Sequence, residues 1–128
     1  MKDKDWLYRS LAVISFLTAV SGLIQMAAPG FILRLLSAET TPAALHFFSI
    51  VGMFMTLFGG AFLNALLSPE HHPIVVFWAS LQKLGAFAAV GLGVARHIFS
   101  PLALAVAFFD LLTGVLGLCY WMKIKRTS

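Results

Sequence analysis

Two apolar runs decide the fold: Ile74–Ala95, IVVFWASLQKLGAFAAVGLGVA, and Pro101–Met122, PLALAVAFFDLLTGVLGLCYWM. About 20 predominantly apolar residues span the hydrocarbon core of a bilayer as a helix, so each run is long enough to cross. The short Arg96–Ser100 connection folds them into an antiparallel hairpin. Each run carries one charge near its middle, Lys83 in the first and Asp110 in the second. Measured from the connecting loop, the two charges differ in depth by roughly one helical turn at about 1.5 Å per residue. An isolated charge at mid-bilayer costs at least about 2.5–3.5 kcal/mol, so such residues pair or face a protein interior. The spacing therefore predicts a buried Lys83–Asp110 ion pair.

The rest of the composition agrees with a membrane chain. Of 128 residues, 60% are hydrophobic and only 11% charged, with mean hydropathy +0.92. A soluble domain of this size has about 25% charged residues, and no aqueous core could hide this much apolar surface. The net charge of +4 does not mark a nucleic-acid surface, because the basic residues cluster at the chain ends. These are Lys2, Lys4 and Arg9 at one end and Lys123, Lys125 and Arg126 at the other. The single cysteine, Cys119, lies inside an apolar run, which excludes an intrachain disulfide.

Outward from the hairpin, two more spans are predicted, giving helices at about 7–28, 42–67, 73–95 and 101–122. The first run is longer than the usual signal-peptide apolar segment of about 7–15 residues, so it is expected to be a retained span. Pro29-Gly30 ends it, and 30–38 is a candidate short interfacial helix. Thr41-Pro42 supplies an N-cap with proline at the first helical position. Pro73 and Pro101 suit first positions in the same way. The expected fold is all-α: a single domain, 1–128, forming an antiparallel four-helix membrane bundle.

An even number of spans puts both termini on one side with six Lys/Arg; the other side has only Arg34 and Arg96. The positive-inside rule then predicts cytoplasmic termini in a cell or inner membrane. Trp6, Tyr8, Tyr120 and Trp121 are expected at that same interface as an aromatic belt.

Helix packing in lipid relies on small residues that let backbones approach. Ala103, Ala107, Gly114 and Gly117 place Asp110 within one such stripe, and Gly52, Thr56 and Gly60 form another at four-residue steps. Thr18, Ser21, Gln25, Ser49 and Gln82 are candidates for a small polar cavity. Bonds to nearby backbone carbonyls are the alternative use of such side chains.

Catalytic and cofactor chemistry find little support. His46 and His97 fall near helix ends without a facing partner, and Glu70, His71 and His72 read as a polar turn. There is no HExxH and no Cys/His ligand spacing, so neither a metal nor a cofactor is expected. Two roles remain for Lys83 and Asp110. As a structural clamp, the pair suits a non-enzymatic accessory, assembly or scaffold subunit of a larger membrane complex. As a mid-membrane coupling site, it suits a small oligomeric transporter or proton-coupled exchanger. The expected partners are lipid and either other membrane subunits or further copies of this chain.

Overall fold

A computed structural model describes residues 6–127; Lys2 and Lys4 lie outside the described residues. Five helices follow one another: α1 (Trp6–Ala27), α2 (Pro29–Leu35), α3 (Pro42–Leu67), α4 (Pro73–Ala95) and α5 (Ala103–Thr127). Among the described residues there are no strands. Four of the helices, α1, α3, α4 and α5, are long and apolar enough to cross a membrane. The chain is a small integral membrane protein with an all-helical bundle fold.

The helix starts follow the proline punctuation, with one difference. Thr41 Oγ1 accepts from Ala44 N at 3.2 Å, and Pro42 needs no partner for a missing N–H. Pro101 does not open α5. Ala103, Leu104 and Ala105 each donate to the carbonyl three residues back, at 3.0, 2.9 and 3.1 Å. That tight turn draws the chain in before the α-helical ladder begins at Ala103. At its other end α5 continues past Met122 to Thr127, because Lys and Arg are good helix formers and the helix has no reason to stop where the apolar run does.

The C-terminal ends of α2 and α4 close in the same way. Ala38 N donates to Leu33 O at 2.9 Å and Ser37 N to Arg34 O at 3.1 Å; Ser37 has φ 55°. Ile98 N donates to Gly93 O at 2.8 Å and His97 N to Val94 O at 3.0 Å; His97 has φ 60°. These are Schellman closures with a left-handed residue in the place glycine usually takes. The second one folds Phe99 over Gly93, where an added Cβ would meet the ring at 2.6 Å. Ser100 N then donates to Leu36 O at 2.9 Å, tying the two loop regions together.

The helices form a ring in the order α1, α3, α4, α5. α1 packs along α3 and α4 along α5, while the two pairs meet through lighter α3–α4 and α1–α5 contacts. α1 and α4 face each other across the diagonal, and among the described residues none of their Cα atoms approach within 8 Å. The apolar core lies towards the end that carries the termini: Leu11, Phe62, Leu66, Val76, Ala79 and their neighbours Leu7, Tyr8, Tyr120 and Ile124.

That core changes the role of two tyrosines. Tyr8 and Tyr120 are buried, their ring centroids 6.3 Å apart, and Tyr8 Oη donates to Leu66 O at 2.9 Å. They fill the bundle end rather than a lipid-facing belt, because both fall on the inward stripes of α1 and α5. Trp6 is exposed as a belt residue would be. Trp121 stacks on Phe77 at 4.9 Å between centroids and carries Lys125 Nζ 4.6 Å above its ring.

Candidate functional site: a charged cluster at the bundle centre

Helical spacing brings the charges inward. On α4, Val76, Ala79, Ser80 and Lys83 share one buried stripe; on α5, Ala103, Ala107, Asp110, Gly114 and Gly117 do the same. Residues three and four apart lie on one helix face, so a charge within such a stripe must point where the stripe points. Small residues then let the helices close around it. An added Cβ at Gly114 would lie 2.6 Å from Leu84 Cδ2 and 3.1 Å from the Ser80 carbonyl, and one at Gly117 would strike Ser80 Oγ.

Lys83 Nζ lies 3.4 Å from Asp110 Oδ1. It also donates to Thr18 Oγ1 at 2.8 Å, reaching across the diagonal from α4 to α1. The lysine, aspartate and threonine are all buried, at 6%, 8% and 5% exposure. The cluster thus joins three helices, and its shortest bond links the two helix pairs rather than lying within one. Asp110 accepts no other hydrogen bond among the described residues.

A cavity of about 10 Å³ adjoins the ammonium, with Ser15, Thr18, Gln82, Lys83 and Thr113 among its lining residues. Only part of the expected polar set gathers there. Thr18 and Gln82 do; Gln25 and Ser49 do not. Gln25 Nε2 donates to Phe48 O at 3.0 Å and Ser49 Oγ to Met26 O at 2.7 Å, so both staple α1 to α3 nearer the loop end. Ser21 is exposed: Thr18 lies at the edge of the buried Leu11–Ser15–Thr18–Gly22 stripe, and the further three-residue step turns about 60° beyond that edge.

Two members of the site were not singled out for it from sequence: Ser15 and Thr113. Each lies three residues from a residue that was, Thr18 and Asp110, so the helical step alone carried the signal. Thr113 donates to Phe109 O at 2.8 Å.

The packing stripe on α3 also needs correcting. Gly60 faces open space, whereas Gly59 lies against α1, where an added Cβ would fall 2.8 Å from Ala19 N. Seven residues are nearly two full turns at 3.6 per turn, while eight overshoot by about 80°, so Gly52 is followed on its face by Gly59. Gly52 itself packs on Gly22, an added Cβ meeting Gly22 O at 2.8 Å. Thr56 stays at this interface, its Oγ1 3.2 Å from Ala19 O and 3.1 Å from Gly52 O. Ala103 and Ala107 are fully buried.

Among the described residues, no group of three His, Cys, Asp or Glu side chains is arranged to hold a metal ion. Ser68 Oγ lies 3.0 Å from His72 Nε2 and closes the turn between α3 and α4. No family model, curated protein or solved structure matches the chain.

Proposed function

We propose that this protein is a non-enzymatic accessory or scaffold subunit of a larger membrane complex, with Lys83, Asp110 and Thr18 clamping its two helix pairs. One observation carries the reading: the buried charges are met by side chains of the chain itself, around a cavity of only about 10 Å³. Small-molecule sites occupy about 300–1,000 Å³, so the bundle centre has no room for a cargo. Exposed Phe47, Leu57, Ile74, Trp78 and Phe108 cover the flanks with apolar surface, which suits acyl chains or a neighbouring subunit's helices. The basic ends support cytoplasmic termini.

Gentle extraction from native membranes followed by native mass spectrometry tests this. A stoichiometric second protein is the expected result. Isolation as a self-sufficient species that works alone in pure liposomes would overturn it. The competing reading, a small oligomeric transporter or proton-coupled exchanger, draws on the single 3.4 Å contact of Asp110. Under that reading Asp110→Asn abolishes transport while assembly persists.

A further inference from the structure

We propose that the central cavity binds one ordered water molecule, held between Lys83 Nζ and Ser15 Oγ. The site is independent of whether the protein acts as a subunit or a transporter. Its first support is Ser15, which is 2% exposed and whose Oγ has no hydrogen-bond partner among the described residues. Other buried hydroxyls of the bundle solve the same problem locally. Ser80 donates to Val76 O at 2.7 Å and Thr113 to Phe109 O at 2.8 Å, each four residues back on its own helix. Ser15 instead lines the cavity beside the ammonium. A buried hydroxyl left unmet forfeits the hydrogen bonds it would make in water, and a bilayer offers it no bulk water.

The second support is the ammonium itself. Lysine has three donors, and Lys83 places two of them, on Thr18 and Asp110. The third needs an acceptor. A single water fits both needs: its oxygen accepts from Lys83, and it shares a hydrogen bond with Ser15. Gln82 and Thr113 line the same space and can supply further partners. Ordered buried waters have two to four polar partners and need about 10–15 Å³, and the cavity of about 10 Å³ meets the lower bound. Asp110 already balances the ammonium charge, so the site calls for a neutral ligand. Towards the termini, Leu11, Leu66 and Val76 pack into the apolar core, so no aqueous column continues from the cavity in that direction.

Proton-detected solid-state NMR of the full chain in lipid bilayers tests the site. The expected result is magnetisation transfer from water to the Lys83 ammonium and to the Ser15 side chain, with none at Leu11 or Leu66, which are buried in the core and do not line the cavity. Ser15→Val fills the space with a methyl-bearing side chain and is expected to abolish the transfer to Lys83. Ser15→Ala leaves the space open and is expected to retain it. Absence of transfer at Lys83 in the folded wild type would overturn the proposal. So would equal transfer at Leu11 and Leu66, which would reveal an open water path. If Ser15→Val does not fold, the wild-type pattern and Ser15→Ala still decide.

Discussion

The two tightly packed helix pairs of this bundle are held by different means. α1 and α3 touch backbone to backbone: Gly22, Gly52 and Gly59 leave no room for a Cβ. Neutral side chains then donate to main-chain carbonyls across the same seam, Gln25 to Phe48 and Ser49 to Met26. α4 and α5 also meet at glycines, but the spaces at Gly114 and Gly117 are taken up by the side chains of Leu84 and Ser80. Across that seam runs the Lys83–Asp110 ion pair. A carbonyl acceptor is present at every turn of a helix, so the neutral bonds of the α1–α3 seam do not select one register by themselves and the glycine contacts must do so. A single carboxylate is not repeated, so the α4–α5 seam has one register that pairs its charges. Lys83 then extends this constraint to α1 through Thr18.

The sharpest way to break the comparison is to remove one charge. Removing one partner of a buried ion pair costs about 3–5 kcal/mol, because the other charge is left unmet. Lys83→Met is therefore expected to destabilise the bundle by about that amount in reversible unfolding from bilayers or bicelles. Lys83→Met combined with Asp110→Leu is expected to recover most of the loss, since apolar replacements of a buried pair are often neutral or stabilising. If the double variant is no more stable than Lys83→Met, the pair is not the unit that holds this seam.

The glycine seam comes next in size. At Gly22 an added Cβ lies 2.5 Å from Gly52 O and 2.7 Å from Thr56 N, so backbone rather than a movable side chain must give way. Overpacking of this kind costs about 1–3 kcal/mol, and Gly22→Ala is expected to lower the thermal midpoint accordingly. Gly60→Ala is the matched control. Its Cβ meets open space, and alanine is favoured over glycine in a helix interior by up to about 1 kcal/mol. Equal losses at the two positions would mean that α1 and α3 do not meet as described.

These two cases also show what sequence could reveal. Lys83 and Asp110 were legible because a charge inside a long apolar run leaves few alternatives, and the loop between the runs fixes relative depth. The start of α3 was legible at Thr41-Pro42, where proline follows a capping hydroxyl, but the same pairing at Ser100-Pro101 opens only a tight turn ahead of α5. Gly59 was not separable from Gly60 by a rule of four-residue steps, since only the 3.6-residue turn distinguishes them over this distance. The polar set failed for a related reason. Gln25, Ser49 and Ser21 have the composition of a cavity lining, but whether a hydroxyl or amide turns inward, to a neighbour's carbonyl, or outward is set by rotation of the helix. α1 has buried and exposed polar residues only three positions apart, and its weak amphipathic contrast gives no warning of which is which.

The smallest expected effect tests whether neutral staples are interchangeable where the charged clamp is not. Interhelical hydrogen bonds in a membrane average about 0.6 kcal/mol and reach about 1.7 kcal/mol. Ser49→Ala removes the donor to Met26 O, and Gln25→Leu removes the donor to Phe48 O. Each is expected to cost an amount within that range, measured by the same unfolding experiment used for Lys83→Met. The two staples lie on opposite helices but bridge the same seam, so their combination is informative. If Gly22 and Gly52 set the spacing of α1 and α3, the losses add, because neither bond positions the other. A combined loss well above the sum would show that the polar bonds, rather than the glycine contacts, fix that register. The α1–α3 seam would then share the all-or-none character of the charged one.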